Sequence, residues 1–366
     1  MTAWRTEKLG DVCDMLDSLR RPITKRDRAS GPYPYYGATG IVDHVADFIF
    51  DEKLVLVGED GAKWESGDQT AFIADGQYWV NNHAHVLRPH RSKLLDEWLA
   101  YYLTHLDLTP WIGGLTVPKL NQGNLREIPV LLPSLGEQER IVAILDEVFE
   151  GIAKAIANAE RNLANARELG DSAIAAALSA NDEAWITQRL GDCFRLKSGD
   201  NLTSSQMIEG DFPVYGGNGV AGSHNESNLD GDNVIVGRVG ALCGNARRVV
   251  EPIWLTDNAF RVTDKEVELH NGFLTYLLNY KKLRSLARQS AQPVISNSSL
   301  RDLLLTFPVS IERQAQISDR LDAITETVSE LEEKYNQRIS ALNDLKASIF
   351  HKAFSGQLTG REAIAA

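Results

Sequence analysis

The stretch GEQERIVAILDEVFEGIAKAIANAERNLANARELGDSAIAAALS, residues 136–179, decides the fold. It contains no proline and few glycines, and its apolar residues mostly alternate between spacings of four and three, with an irregular step from Ala159 to Leu163. They are Ile141, Leu145, Val148, Ile152, Ala155, Ala159, Leu163, Ala166, Leu169 and Ala173. Such a seam is typical of a helix that packs against another helix. It predicts a helix of about 40 residues, roughly 60 Å long.

A second segment, residues 311–353, has a similar composition and the same spacing of apolar residues. These residues are Ile317, Leu321, Ile324, Val328, Leu331, Tyr335, Ile339, Leu342, Leu345 and Ile349, each 176 positions after its counterpart. The first seam is rich in alanine and the second in larger side chains, a combination that favours close packing of the two helices. The alternative is that each helix folds back on its own domain as part of the core.

The segments that precede these helices also repeat, with an offset that drifts from 181 to 175 residues. The matches are Leu9-Gly10-Asp11 with Leu190-Gly191-Asp192, Tyr35-Tyr36-Gly37 with Val214-Tyr215-Gly216, Leu54–Gly58 with Asn233–Gly237, Trp79 and Ala84 with Trp254 and Ala259, residues 98–103 with 273–278, and 125–133 with 300–308. Matches in one order at nearly one offset indicate an internal duplication, which must be recognised before any other inference about the fold.

Each copy combines strand and helix patterns. Short β-branched runs bounded by glycine, such as LVLVG and NVIVG, read as strands. Helices are predicted at 94–106 and 269–286, and a final strand before proline at 128–133 and 303–308. We therefore predict an α+β fold with two similar domains, separated by two long helices packed as an antiparallel coiled coil with pseudo-two-fold symmetry. The predicted boundaries are 1–135, 136–180, 181–309 and 310–366.

Composition narrows the class of protein. The formal net charge is −12, and residues 136–184 carry 10 acidic against 4 basic side chains, so acidity is concentrated in the first helical segment. A basic footprint is usual for a nucleic-acid binder, and an acidic helix suits contact with protein or solvent. The sequence has no apolar run long enough to span a membrane and no signal peptide. Cys13, Cys193 and Cys243 have no paired spacing, which favours free thiols and a cytoplasmic protein.

Common catalytic signatures are absent from the sequence. No glycine-rich phosphate loop, zinc-ligand spacing or nucleophile elbow occurs. His83 and His85 form the one close histidine pair, but the second copy has DNAFRV where the first has NNHAHV. For His83 we therefore expect a structural or hydrogen-bonding role. These absences favour a binding protein without catalytic, metal-binding or cofactor-binding residues of its own, although active-site residues can also lie far apart in a sequence.

Two related domains at a fixed separation suit a ligand with two related parts, and DNA half-sites are such a ligand. Basic residues flank the glycine-rich and tyrosine-rich loops of both copies, together with amide and imidazole groups. Such side chains can bind phosphates or base edges, although each one singly is more often a solvated surface group. The DNA-binding candidates are Arg20, Arg21, Lys25, Arg26, Arg28, Tyr36, Lys63, Lys197, Asn218, His224, Arg238, Arg247, Arg248, Lys281 and Lys282.

Several of these motifs together resemble the specificity subunits of type I restriction–modification systems. They are LGD near the start, YPYYGATGIVDH, LVLVGEDGA, NNHAHVLRP, the helix opening SLGEQERIVAILD and the C-terminal ISALNDLKASIFHKAFSGQLT. The resemblance extends over essentially the whole chain and includes the order of its segments. It implies a subunit that recognises a split DNA target, one half per domain, with helices that set the spacer length. Recognition domains in this family diverge widely, so base-reading residues cannot be carried over.

The resemblance also implies partners. These are double-stranded DNA, two modification (adenine-N6 methyltransferase) subunits and restriction subunits, with S-adenosylmethionine, ATP and Mg²⁺ bound by the partners. The helix openings at 138–145 and 314–321 would contact the modification subunits, which makes Gln138, Arg140, Gln314 and Arg320 partner-binding candidates. The two helices end differently, in DSAIAAALSAN and KASIFHKAFSGQL, which argues against identical contacts at both ends.

Two other functions remain open at this point. A specificity subunit of a related two-component restriction–modification enzyme would have a similar sequence, and only its partner would distinguish it. A coiled-coil adaptor that binds no nucleic acid would fit the net acidity better, but not the loops rich in Arg, Asn and Tyr. A standalone enzyme would require turnover by the isolated chain, which we expect to be absent.

Overall fold

The computed structural model describes residues 4–114, 117–179, 184–287 and 293–359. Of these, the residues up to Ala159 together with those from Gln337 onward form one compact unit, unit 1, and those within Glu160–Asn336 form a second, unit 2. The division therefore falls within the long helices. The domain boundaries given above, which assign each long helix to a segment of its own, stay a prediction.

Unit 1 begins with short strands and helices and leads into the first long helix. Its strands are β1 Arg5–Lys8, β2 Cys13–Met15, β3 Tyr33–Gly37, β4 Gly40–Val45, β5 Phe50–Asp51, β6 Leu54–Gly58, β7 Ala71–Ala74, β8 Gln77–Val80, β9 Ala84–Pro89 and β10 Pro129–Leu132. The helices are α1 Leu9–Val12, α2 Asp96–His105, α3 Gln122–Arg126 and α4 Leu135–Ser179, the last continuing into unit 2.

Unit 2 repeats this series and leads into the second long helix. Its strands are β11 Trp185–Arg189, β12 Arg195–Ser198, β13 Phe212–Gly216, β14 Gly219–His224, β15 Asn233–Gly237, β16 Ala246–Val249, β17 Trp254–Leu255, β18 Ala259–Thr263 and β19 Leu304–Pro308. The helices are α5 Leu190–Cys193, α6 Asn271–Tyr280, α7 Asn297–Leu300 and α8 Ile311–Phe354, the last continuing into unit 1.

The sheets confirm the duplication predicted from the sequence. Unit 1 contains β1-β10, β2-β9-β6-β7 and β4-β3-β8-β5, and unit 2 contains β11-β19, β12-β18-β15-β16 and β14-β13-β17. A Leu229–Ile253 bridge stands in unit 2 where unit 1 has β5. Even the irregularities recur, because each β-hairpin has a bulge, between Tyr35 and Tyr36 and between Val214 and Tyr215.

The two LVLVG-type runs form central strands because both of their faces are covered. All five residues of β6 are buried between β7 and β9, and four of five in β15 are buried between β16 and β18. A continuous apolar run is what a strand with two buried faces requires. Each of these strands ends in a glycine, and the loop that follows carries one of the DNA-binding candidates, Lys63 in unit 1 and Arg238 in unit 2.

The short helix of each copy is found where predicted, but the second is shorter than expected. The predicted helix 269–286 ends at Tyr280. Lys282 has a left-handed backbone (φ 49°), and residues 283–286 continue as a 3-10 helix. Non-glycine residues rarely adopt this conformation within a helix, so the α-helix cannot continue through it.

The long helices are confirmed and run antiparallel to each other. In unit 1 the rings of Phe149 and Phe350 lie 4.5 Å apart. In unit 2 Arg167 forms an ion pair with Glu332 at 2.6 Å. Residue numbers thus rise along one helix as they fall along the other. The short helices bond to them in the same way in both units, since Tyr101 donates to Asp146 and Tyr276 to Asp322, at 2.6 and 2.7 Å.

One position of each predicted seam is wrong. Leu169 and Leu345, which correspond in the two helices, are 71% and 48% exposed. Gly170 takes the inward position in α4, where a Cβ would lie 3.0 Å from Cγ2 of Val328. The buried side of α4 therefore advances by steps of four from residue 166 to residue 178. The sequence pattern misleads here because Leu169 is apolar and the inward residue is a glycine.

The ends of the long helices enter the cores despite their different sequences. In unit 1 Phe354 of α8 packs against Trp98 with ring centroids 4.9 Å apart. The corresponding residue of α4, Leu178, is buried beside Trp185 in the core of unit 2. The divergent helix ends therefore serve equivalent packing roles. Among the described residues no helix is both long and apolar enough to cross a bilayer.

Candidate nucleic-acid interface

In each unit a glycine at the end of the central strand lies against the turn of the neighbouring β-hairpin. A Cβ on Gly58 would lie 2.9 Å from the carbonyl oxygen of Ala38, and one on Gly237 would lie 2.4 Å from that of Gly217. Real Cβ atoms do not approach a backbone oxygen this closely, so only glycine allows the two loops to meet. In each unit, the loop after the central strand therefore meets the turn of the hairpin, at Gly58 and Ala38 in unit 1 and at Gly237 and Gly217 in unit 2. We call this region the paired-loop edge.

In unit 2 this edge brings two of the predicted DNA-binding residues together. Asn218 accepts a hydrogen bond from the Leu242 backbone N–H at 2.9 Å, which orients its amide. The Arg247 guanidinium lies against Gly219, where a Cβ would be 2.8 Å from Nη1. Within the described parts of the chain, the Asn218 amide nitrogen and the Arg247 guanidinium have no hydrogen-bond partner, so both can bind an external group.

In unit 1 the exposed cations lie on the loop of residues 20–28. Trp79 donates from its indole nitrogen to the Arg21 carbonyl at 2.5 Å, and the Tyr35 hydroxyl accepts from the Ile23 N–H at 2.9 Å. The side chains of Arg21, Lys25 and Arg26 are exposed on this anchored loop. The corresponding loop of unit 2, residues 199–207, has no cation and carries Asp200 where unit 1 has Arg21. Gln206 closes a capping box on Thr203 in this loop. The two units therefore present different chemistry at equivalent positions.

Arg20 and Arg28, two of the predicted DNA-binding residues, have partners within unit 1, and their contact with DNA stays a prediction. Arg20 donates to Glu59 at 2.5 Å and to the Ala84 carbonyl at 2.8 Å, and its side chain is 14% exposed. Arg28 pairs with Asp43 at 3.0 Å, and its guanidinium lies over the Tyr35 ring. Both guanidinium groups therefore hold the loop within unit 1.

The side chains of three further DNA-binding candidates already bond to or pack against residues of their own unit. Arg248 forms a bidentate pair with Asp232 at 2.8 and 2.9 Å, and this pair holds the pKa of the Asp232 carboxyl below its usual range. His224 is buried and accepts from the Ile208 N–H. Tyr36 packs between Phe72 and Tyr78, and burial raises the pKa of its hydroxyl.

The remaining candidates are more accessible. Arg238 donates to the Asp257 carbonyl at 3.2 Å and lies over the Phe260 ring, while its buried Nε has no partner in the described part of the chain. Lys63 and Lys197 are exposed. Lys281 and Lys282 directly follow α6, whose Asn279 bonds both backbone groups of Ala246 at the start of β16. They therefore lie near the segment that carries Arg247.

A buried polar network of unit 1 was missed from the sequence. His85 bonds the Asp17 carboxylate at 2.6 Å through Nδ1 and the Leu120 carbonyl at 2.7 Å through Nε2. These two bonds fix the orientation of the imidazole ring between the 3-10 helix Asp17–Leu19 and the loop before α3. Glu59 holds Lys119 as well as Arg20. The sequence feature that could have revealed this network is Glu59, an acidic residue directly after Gly58, because the second copy has Arg238 at that position.

Burial raises the pKa of Asp17, but its partners outweigh that effect. The hydrogen bond and charge of His85, the Val86 N–H and the charge of Arg20 together lower the pKa of this carboxyl below its ordinary value. His83, in turn, bonds Asp60 at 2.5 Å, which confirms its hydrogen-bonding role. The three cysteines are free and buried, and the described residues include no group of His, Cys, Asp or Glu able to hold a metal ion.

Gln138 and Gln314 are fully buried, which corrects the prediction that their side chains contact a partner. Gln138 accepts from the Leu95 N–H at 2.9 Å and donates to the carbonyls of Lys93 and Pro133. Gln314 makes the same three bonds, with His270, Glu268 and Pro308. Each amide therefore bonds the start of a long helix, α4 or α8, to the loop that precedes α2 or α6. Arg140 and Arg320 are exposed and accessible to a partner.

Comparison with known proteins supports this architecture. The family model for the type I restriction modification DNA specificity domain matches residues 1–161 and 182–341. A putative type I restriction enzyme specificity subunit of Haemophilus influenzae is 36% identical over 138 residues, which cover 38% of this chain and 35% of that protein. The EcoprrI specificity subunit of Escherichia coli is 32% identical over 150 residues, which cover 39% and 37%. The matched segments thus span about a third of both relatives.

A solved structure shares the fold at low sequence identity. It comes from work on complex assembly and conformational transition of the type I restriction–modification system. That chain has a TM-score of 0.73 and 19% identity, with 98% of this chain and 99% of that one covered. The family model matches both copies of the repeat found in the sheets. This chain therefore belongs to the type I restriction–modification DNA specificity family.

Proposed function

We propose that this chain is the DNA-recognition subunit of a type I restriction–modification complex, in which each unit reads one half of a split target. The observation that carries the proposal is the repetition of one sheet order and one hairpin bulge in two units with different loop chemistry. A common framework with divergent loops is what reading two different half-sites requires. In proteins generally, binding residues are concentrated on loops that a rigid scaffold positions.

The accessible side chains suit base and phosphate contacts. In unit 2 Asn218 and Arg247 can pair with adenine and guanine edges in the major groove. In unit 1 the exposed cations Arg21, Lys25 and Arg26 can bind phosphates. Arg26 also pairs with Asp27 at 3.4 Å, but both of these side chains are exposed, whereas Arg20 and Arg28 are held within unit 1. Positive charge is therefore accessible on this loop of an otherwise acidic chain.

The partners follow from the same proposal. Two modification (adenine-N6 methyltransferase) subunits bind along the long helices, with Arg140 and Arg320 among the accessible residues, and restriction subunits join them. The helices set the spacer between the half-sites. S-adenosylmethionine, ATP and Mg²⁺ are bound by those partners, the chain itself has no catalytic role, and the complex acts on DNA in the cytoplasm.

The proposal is tested by binding of the assembled complex to duplex DNA at a series of salt concentrations. Phosphate contacts predict that the logarithm of the binding constant falls linearly with the logarithm of salt concentration. Replacing Lys25 and Arg26 with alanine should make that slope shallower by about one for each phosphate that is no longer neutralised. Alanine at Arg91, which pairs with Asp96 away from this loop, is the control.

A coiled-coil adaptor predicts no duplex binding at any salt concentration, and that result would reject the proposal. The related two-component enzyme is distinguished by its partner. In that case one partner chain, rather than separate modification and restriction subunits, would co-purify with this subunit and carry both activities.

A further inference from the structure

In each unit, four neighbouring charged positions around the Leu-Gly-Asp motif keep the sign of their charge. All eight side chains belong to exposed residues, and their positions correspond through the strand registers and the offsets of the repeat. The pairs are Lys8 with Arg189, Asp11 with Asp192, Arg126 with Arg301, and Glu127 with Asp302. We call each set of four the repeated charge patch.

In unit 1 the patch is built on α1 and α3. Lys8 and Glu127 form an ion pair at 2.6 Å. A Cβ on Gly10 would lie 3.1 Å from the Cβ of Arg126, so this glycine leaves the room in which the arginine crosses α1. Asp11 follows directly after that glycine. Two of the four charges are therefore paired, and Arg126 and Asp11 remain available.

In unit 2 the same patch is built on α5 and α7. Arg189 and Asp302 pair at 3.4 Å. A Cβ on Gly191 would lie 2.7 Å from Cγ of Arg301, and the Gly191 N–H donates to the Arg301 carbonyl at 3.0 Å. The Leu-Gly-Asp motif of both copies therefore has one physical role, which is to let an arginine lie across a short helix beside an exposed aspartate.

The sign of the charge is not kept everywhere, although it is also kept at Asp51 and Asp230 and at Asp146 and Asp322. Asp14 corresponds to Arg195, since each pairs with the same position of the neighbouring strand. Lys53 precedes β6 and Asp232 precedes β15, so this pair also reverses its sign. Four signs are kept within one surface region, while the position three residues after Asp11 and Asp192 reverses its sign. This clustering points to a requirement common to both units.

We infer that the repeated charge patch is a docking surface for the partner protein that binds twice, once to each unit. The inference rests on the proposed function, in which the two modification subunits are identical while the two DNA half-sites differ. Residues that read different half-sites must differ between the units, whereas residues that contact identical subunits must agree. The patch agrees, and the loops at the paired-loop edge do not.

The charge balance favours a protein over DNA at this surface. Each patch combines two cations with two carboxylates, and exposed carboxylates repel phosphates. Alternating charges are instead suited to a complementary protein surface, where they fix orientation and register. The modification subunit is therefore predicted to carry an acidic and a basic group in the reverse order.

The test counts modification subunits on the full-length chain by native mass spectrometry and titrates their binding. Arg126→Glu should weaken one of the two binding events by at least about tenfold, and Arg301→Glu the other, because like charges then face each other. The double variant should lose both. Asp11→Lys and Asp192→Lys, which leave the arginine packing intact, should reproduce the two single effects if an arginine variant folds poorly.

Arg5→Glu is the matched control. Arg5 is exposed, lies on the opposite face of β1 from Lys8, and corresponds to Ile186 in unit 2. It should leave both binding events unchanged. If the unaltered chain binds two modification subunits and every patch variant binds them equally well, the patch inference is overturned while the proposed function stands. If the unaltered chain binds none, both are overturned.

Discussion

Arg20 donates a hydrogen bond from Nη1 to Oε2 of Glu59 at 2.5 Å, and the two side chains are 14% and 10% exposed. This pair links the start of the basic loop to the residue that follows the central strand of unit 1. Arg21 and Asp200 make the same bonds to the neighbouring strand in the two units, so Arg20 and Glu59 correspond to Gly199 and Arg238. The link is therefore particular to the first copy. The basic residues of this loop therefore fall into two groups. Arg20 and Arg28 stabilise the loop through ion pairs, and Arg21, Lys25 and Arg26 are exposed.

Replacing Glu59 with glutamine should destabilise unit 1. Arg20 and Lys119 would both lose their carboxylate, and removing one partner of a largely buried pair costs roughly 3 kcal/mol. Denaturant unfolding of the purified chain measures the effect. Glu65→Gln, at an exposed position nearby, should stay within about 0.5 kcal/mol of the unaltered chain. Equal stability of the two variants would contradict the network described here.

The depressed pKa of Asp17 predicts a dependence of stability on pH. A carboxyl whose pKa is lower in the folded state stabilises the fold above the pKa of the unfolded chain, about 4. That contribution is lost as the pH falls through the lower, folded value. Asp17→Asn should therefore unfold more readily at pH 7, and its difference from the unaltered chain should shrink in acid. The exposed Asp211→Asn should show little difference at either pH.

The two buried glutamines should prove structural rather than partner-binding. Gln138→Leu and Gln314→Leu would each leave one backbone N–H and two carbonyls without their partner, a loss of roughly 2–4 kcal/mol. Urea unfolding should show the loss for both variants and not for Gln316→Leu, which lies at an exposed position. If both variants kept full stability but lost the modification subunit, the partner-binding role would be restored.

Adjacent arginines on β16 offer a direct comparison of a free and a paired side chain. Arg247→Ala should weaken binding of the complex to its target by about 1–3 kcal/mol and relax recognition in one half-site only. Arg248→Ala should have a smaller effect, because Asp232 already holds that guanidinium. Competition binding against DNA with substitutions in each half-site measures both. Equal losses from the two variants would refute the assignment of Arg247 to base reading.

The helices and the duplication could be predicted from sequence because both are periodic features. Apolar spacing identifies the long helices, and an offset of about 175–181 residues identifies the second unit. Periodicity fails where the inward residue is itself atypical. Gly170 takes the position expected for Leu169 because Val328 approaches the glycine too closely for a side chain.

The candidate site was predicted less well, since the type of a residue does not reveal its partner. Arg247 and Arg248 are identical in chemistry and adjacent in sequence, and only the position of Asp232 separates their roles. Likewise Gln138 opens a helix in the expected place, yet its amide turns inward to the Leu95 loop. Side-chain pairing over long sequence separations is set by the tertiary fold.

The most direct test of the account is the methylation pattern produced by this chain. The full-length protein should be co-produced with its modification subunit in a host lacking adenine methylation, and N6-methyladenine mapped across the genome. The account predicts one motif in two parts, separated by a spacer of fixed length, with one modified adenine in each part. Arg247→Ala should alter one part and leave the other. A continuous motif, or no methylation from a correctly assembled complex, would contradict it.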